Sequence, residues 1–168
     1  GVHVEKNIAL VNEDGVEFLA SLEVGTTLVT LAPECVPKDV IAQLVKRGVH
    51  VAIGHSAATY EQARAALAEG ASGFTHLFNA MTPLQSREPG CVGAALDDTE
   101  SWFGLIADGY HVHPATMRIA LSAKTGGKAI LVSDAMPAAK CDMSGFEWNG
   151  EAILVDDGCC RRVNGTLA

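Results

Sequence analysis

A chain of 168 residues is of ordinary single-domain size, able to bury a real core yet short of the roughly 250 residues of a complete (β/α)8 barrel. Apolar residues make up 48% and aromatics only 5%, the balance of an α/β enzyme rich in Ala, Val, Leu and Gly. A formal net charge of −8 argues against a nucleic-acid or anionic-membrane surface, and no apolar run approaches the ~20 residues of a membrane span.

The chain opens on Gly1-Val2-His3-Val4-Glu5, and residues 9–20 fit a short helix. Residues 26–31 (TTLVTL), β-branched and apolar, read as a buried strand ending at Ala32-Pro33-Glu34. Pro37 then opens a helix over 37–48 (PKDVIAQLVKRG). Proline suits the first helical turn, Asp39 the positive N-terminal end, and Lys46-Arg47 the C-terminal end. A strand is expected at 50–53 (HVAI), a helix at 59–69 with Ala63, Ala66 and Leu67 at helical spacing, and a short strand at Gly73-Phe74.

Each of the last two strands delivers a histidine, His55 and His76. With both strands parallel, the helix between them is their crossover, and both imidazoles lie at C-terminal strand ends. In a βα barrel the loops of active sites gather there. Neutral imidazole is the commonest metal ligand, so two such rings from neighbouring strands make a candidate divalent-metal site. A hydrogen-bonded loop histidine is the plainer alternative, and no compact motif such as HExxH is present.

A polar loop runs from Asn79 through Pro83, Arg87, Pro89 and Gly90 to a strand at 102–107 (WFGLIA). Asp108-Gly109-Tyr110-His111 follows, then a helix at 114–124 closed by Gly126-Gly127, then a strand at 129–132 that leads to Ser133-Asp134. This alternation of strand and helix is the signature of a parallel α/β protein. From Cys141 the character changes: runs at 146–154 and 160–167 read as hairpin strands. The expected organisation is a catalytic partial βα barrel over 1–140 and a β-hairpin-like segment over 141–168. The five cysteines lack CxxC spacing and read as the reduced thiols of a cytoplasmic protein.

Glu34, His55, His76, Asp108 with His111, and Asp134 all fall at strand ends. Asp134 is open to three roles: metal ligand, general base or helix cap. Ala135-Met136-Pro137 begins a turn rather than an apolar-periodic helix, which weakens the cap. A carboxylate beside a divalent ion can take a proton from water whose pKa the ion has lowered, which is hydrolase machinery.

Six segments in order, TLAPE, GHSAATY, THLFNAM, REPG, ADGYHVHP and SDAMPA, together resemble the N-acetylglucosamine-6-phosphate deacetylases of the amidohydrolase superfamily. Any one is weak; six in sequence are specific. The resemblance implies a metal-dependent (β/α)8 barrel that hydrolyses N-acetylglucosamine 6-phosphate to glucosamine 6-phosphate and acetate. It implies metal ligation by His55 and His76, with Asp134 as the residue that deprotonates the attacking water and protonates the leaving amine. By the same resemblance, His3 helps polarise the acetamide carbonyl. Substrate contacts are expected from Val2, His3, Asn79, Ala80, Arg87, Asp108, Gly109, Tyr110, His111 and Leu167. Among these, Arg87 and His111 reach the phosphate from the neighbouring subunit of a homodimer.

One departure stands out. The family's third metal ligand is a Glu in an HxEGP-type segment. Here Lys6-Asn7 follows Val4-Glu5 in place of Gly-Pro, so the ligand is expected upstream of Gly1. The chain is accordingly expected to be an internal, truncated piece of a longer enzyme, inactive alone. Glu34 is expected as a strand-end structural carboxylate or an outer partner of the histidines. Two histidines with a carboxylate suit zinc, iron, cobalt or manganese equally. A noncatalytic sugar-phosphate-binding or assembly fragment is the alternative of another class. An amidohydrolase acting on a dihydropyrimidine or dipeptide is a third, disfavoured by Arg87 and His111.

Overall fold

In the computed structural model, which describes residues 11–168, two compact units divide between Val132 and Ser133. The first is built on five parallel strands, β1 (Leu28–Leu31), β2 (His50–Ile53), β3 (Gly73–Phe74), β4 (Trp102–Ile106) and β5 (Lys128–Val132). They pair in the sequential order β1-β2-β3-β4-β5, so every strand's C-terminus lies at the same edge of the sheet. Sequential parallel pairing demands a crossover after each strand. The helices α2 (Val40–Lys46), α3 (Tyr60–Ala68), α4 (Gly90–Asp97) and α5 (Pro114–Ala123) supply them, while α1 (Glu13–Ala20) precedes β1.

Register explains the core. Leu31, Ile53, Phe74 and Phe103 are successive partners across four strands and share one face. They join a buried cluster with Leu44 of α2, Ala63 and Ala66 of α3, and Val92 of α4. Phe74 and Phe103 are fully buried, each contributing on the order of 2 kcal/mol through area removed from water. The alternate row, Thr30, Ala52, Gly73 and Trp102, is small until its last member. A Cβ on Gly73 would lie 2.1 Å from the Trp102 indole, so glycine there makes room for the ring.

Capping places the helix ends. Thr59 and Gln62 form a reciprocal capping box on α3, Asn12 caps α1 through the Gly15 N–H, and His113 caps α5 just ahead of Pro114. The expected helix from Pro37 is shortened: α2 begins at Val40, because Asp39 takes a left-handed φ of 67° and its carboxylate makes no cap bond. Ahead of it, Pro33–Cys35 forms a single 3-10 turn. A larger correction is α4, read from the sequence as part of a polar loop. Its residues 90–95 are all buried, so it lacks the polar face that marks an amphipathic helix. Gly93 is required there, since a Cβ would meet Pro89 Cβ at 2.2 Å. Lys124 Nζ, at the end of α5, donates to the carbonyls of Ala95 (2.8 Å) and Asp98 (2.5 Å), tying it to the end of α4.

Within the second unit, β6 (Gly145–Trp148), β7 (Glu151–Asp156) and β8 (Cys159–Arg162) form an antiparallel meander. The run read as one strand over 146–154 is two. Asn149 and Gly150 both adopt positive φ (52° and 81°), as the two-residue turn favoured between paired strands requires. Asp157 and Gly158 repeat it at 48° and 75°. The later run stops short as well: β8 ends at Arg162, and Leu167 returns to bridge Arg161. All five cysteines are free, and no helix among the described residues is long and apolar enough to cross a membrane.

Candidate active site

The two histidines meet. His55, two residues past β2, and His76, two residues past β3, bring their Nε2 atoms to 2.9 Å with ring planes at 75°. Which nitrogen donates across that contact depends on the tautomers of the two rings. Both residues have left-handed backbone, φ 49° and 33°, which non-glycine residues seldom adopt and which turns the chain sharply at each strand end. His76 is buried at 5% exposure, and its Nδ1 has no hydrogen-bond partner; His55 is exposed.

The turns carrying the rings are joined to each other. Ser56 N–H donates to the Ala80 carbonyl (3.0 Å), and Thr82 N–H donates back to the Ser56 carbonyl (3.2 Å). The Thr82 hydroxyl donates to the Ala58 carbonyl (2.6 Å) and accepts from Cys91 N–H (2.8 Å), which attaches the head of α4. Asn79 turns its amide inward, towards the carbonyls of His76 and Leu77 at 3.4 and 3.3 Å. Ala80 is exposed at a left-handed φ of 49°. Glu34 touches neither imidazole; its carboxylate accepts from Ser56 Oγ (2.7 Å) and Ala57 N–H (2.5 Å). Sequence reading marks Ser56 only as a flank of His55 and Glu88 only as a letter of the REPG motif, and it misses Thr82. Their only signal is position, beside the histidine motifs and next to Arg87.

Gly54 makes this convergence possible. Thr30 and Thr75 share a hydroxyl contact of 2.7 Å, and a Cβ on Gly54 would lie 2.8 Å from Thr30 Cγ2 and 2.9 Å from Thr75 Cβ. Gly54→Ala is expected to destabilise the chain by about 1–3 kcal/mol, as overpacking does, and to separate the two rings. Urea unfolding measures the first effect. A loss below about 0.5 kcal/mol, the ordinary scatter of harmless substitutions, would show that the strand ends give way freely.

Arg87 projects from an exposed loop that Glu88 anchors, its Oε1 accepting from Tyr60 N–H (2.7 Å) and Gly90 N–H (3.0 Å). Past β4, Asp108 organises its own turn: Oδ1 accepts from the N–H groups of Tyr110 and His111, both at 2.9 Å, and Oδ2 lies 2.6 Å from His111 Nδ1. Gly109 takes φ 82° between them. Burial pushes the Asp108 carboxyl up. The hydrogen bonds from the His111 backbone and ring and from Tyr110, with the nearby imidazole charge, outweigh it and hold the carboxyl below its ordinary value. His111 is thus held through Nδ1, which leaves Nε2 for a ligand. Asp134, two residues past β5 in the second unit, is exposed at φ 47°, and Leu167 is half-buried in that unit. Val2, His3 and Glu5 lie outside the described residues.

The donor chemistry suits a divalent cation. An ion reaches an imidazole nitrogen at about 2.1 Å, so nitrogens 2.9 Å apart lie within one ion's span. Among the described residues no cluster of three or more His, Cys, Asp or Glu that could hold a metal ion is assembled.

No family model matches the chain. An N-acetylgalactosamine-6-phosphate deacetylase of a Shewanella species is 41% identical over 146 residues, 87% of this chain and 37% of its own length. The crystal structure of N-acetylglucosamine-6-phosphate deacetylase from Pasteurella multocida superposes with a TM-score of 0.91 at 40% identity, over 100% of this chain and 44% of that one. A mutant of the Mycobacterium smegmatis N-acetyl-D-glucosamine-6-phosphate deacetylase, solved in complex with N-acetyl-D-glucosamine-6-phosphate, matches at TM-score 0.77 and 39% identity over 84% of this chain and 38% of its own. The resemblance carried by the six motifs is borne out in sequence and in backbone: this chain resembles the N-acetylglucosamine-6-phosphate deacetylases, and their N-acetylgalactosamine counterparts, while spanning less than half of their length.

Proposed function

We propose that the chain forms part of a metal-dependent deacetylase that hydrolyses N-acetylglucosamine 6-phosphate to glucosamine 6-phosphate and acetate. The observation that carries this reading is the 2.9 Å convergence of His55 and His76 at the ends of adjacent parallel strands, in a backbone shared with such deacetylases. The Shewanella relative favours a second reading, the galacto sugar, which differs only in configuration at C4. Five parallel strands in sequential order support a further proposal, that the sheet is an arc of a (β/α)8 barrel with its site at the strands' C-terminal edge.

In this reading His55 and His76 would hold the ion, with a carboxylate completing the set; zinc, iron, cobalt and manganese all suit such ligands. The chemistry the ion supplies is Lewis acidity, lowering the pKa of water and polarising a carbonyl. Asp134 takes a proton from the attacking water as the oxygen bonds to the acetamide carbon. It returns the proton to nitrogen as the C–N bond breaks, so acetate and the free amine leave. By the same resemblance His3 steadies the carbonyl oxygen, Asn79 and Ala80 contact the sugar, and Val2, residues 108–111 and Leu167 have substrate-binding roles. Arg87 and His111 bind the 6-phosphate across a homodimer interface. The enzyme is cytoplasmic, in keeping with five free cysteines.

A chimaera in which this chain replaces its counterpart in the Pasteurella protein tests the reading. Acetate release from either N-acetylhexosamine 6-phosphate supports it, and the ratio between them selects the sugar. A folded, metal-loaded chimaera that binds the sugar phosphates without releasing acetate favours the noncatalytic alternative. In the active chimaera, Arg87→Ala is expected to raise KM for the 6-phosphate by roughly 10- to 100-fold, the range of a lost charge-assisted hydrogen bond. Use of unphosphorylated N-acetylglucosamine should stay near its own baseline. Mixing Arg87→Ala with Asp134→Asn subunits should restore part of the activity. Equal losses on both sugars, or no rescue in demonstrated mixed dimers, would remove Arg87 from the phosphate.

A further inference from the structure

We propose that Glu34 and Ser56 act as positioning residues that set the direction of His55 for metal binding without touching its ring; this rests on the metal reading of the histidine pair. His55 occupies a left-handed φ of 49°, a conformation disfavoured for a residue with a Cβ, so the turn persists only where its surroundings hold it. One group that holds it is the Glu34 carboxylate, delivered by the 3-10 turn Pro33–Cys35 after β1. It grips the two residues that follow His55, one oxygen on Ser56 Oγ at 2.7 Å and the other on Ala57 N–H at 2.5 Å.

Ser56 extends that grip. It is 4% exposed, and its hydroxyl donates to Glu34 while accepting from Ala58 N–H at 3.1 Å. Its N–H and carbonyl pair with Ala80 and Thr82 of the turn that follows His76. The loops after β1, β2 and β3 therefore meet on one serine, and both histidine turns are referenced to it. A metal-site carboxylate usually orients its histidine by accepting from the ring's second nitrogen. Glu34 instead orients the backbone beneath the ring.

The test uses the full 168-residue chain, zinc chloride as the probe and ring-nitrogen NMR as the readout. In the wild type, the His55 and His76 resonances are expected to shift together with one Kd, and the metal-free rings to show NOEs to each other. Glu34→Ala should weaken zinc binding about 10- to 100-fold, the range seen when supporting partners of metal ligands are removed, and abolish those NOEs. Glu34→Gln should recover both to within a few-fold, because its amide oxygen accepts from Ala57 N–H and its NH2 donates to Ser56 Oγ. Ser56→Ala, which leaves the Ala57 bond intact, should fall between, and it decides the matter if Glu34→Ala does not fold.

A merely structural Glu34 predicts a lower melting temperature with unchanged zinc Kd and NOEs in the folded chain. That result in Glu34→Ala, or wild-type behaviour of Ser56→Ala, overturns the positioning role. Wild-type rings that show their NOEs yet ignore zinc overturn the metal reading. Loss of those NOEs in Glu34→Ala would still support the positioning of the turn.

Discussion

Asp134→Asn in the chimaera is expected to lower kcat by at least ~10²-fold while substrate affinity stays within a few-fold, because general acid–base work of that size is lost with the carboxylate. Asparagine is the informative replacement for a structural reason. Asp134 sits at φ 47°, and among residues other than glycine asparagine is one of the few at ease in the left-handed region. The turn after β5 is therefore preserved, and the substitution removes proton transfer alone. Steady-state kinetics with an inhibitor-binding measurement reads the two quantities separately. A variant that loses the fold or the substrate, while turnover per bound complex survives, would make Asp134 a structural residue.

The second large effect concerns the metal. His55→Asn and His76→Asn are each expected to lower metal affinity by more than ~100-fold, since removing even a supporting partner of a ligand costs 10- to 100-fold. Metal content after dialysis and acetate release should fall together. Both sites have positive φ, so asparagine is tolerated by either turn. The two differ in burial: His76 is 5% exposed, whereas His55 is exposed, so only His76→Asn should also reduce stability noticeably. His55→Asn is the cleaner experiment. Full occupancy and ordinary turnover in both variants would leave two loop histidines that happen to touch.

The histidine pair is legible in the amino-acid sequence because β2 and β3 obey local rules. HVAI and Gly73-Phe74 are short apolar runs, the capped helix α3 lies between them, and their bounds agree with the expectation. Local rules failed where burial is complete. Helix α4 is apolar on every side and carries Gly90 and Gly93, so neither period nor propensity marks it; packing against Pro89 and the Thr82 loop makes it helical. The start of α2 failed for the opposite reason. Asp39 has the right chemistry for a cap, but its backbone is left-handed and its side chain makes no cap hydrogen bond.

By itself the sequence determined the alternation of strand and helix, the delivery of His55 and His76 to adjacent strand ends, and the motif series that resembles the deacetylases. These are properties of neighbours in the chain, set by side-chain period, capping and turn chemistry. Only the tertiary structure decided what Glu34 holds: its carboxylate grips Ser56 and Ala57 rather than an imidazole. Glu34 and Ser56 are 22 residues apart, and their hydrogen bond depends on the parallel register of β1 and β2, which brings Leu31 level with Ile53. A pairing of that kind leaves no periodic trace along the chain, because its partners become neighbours only after the sheet has formed.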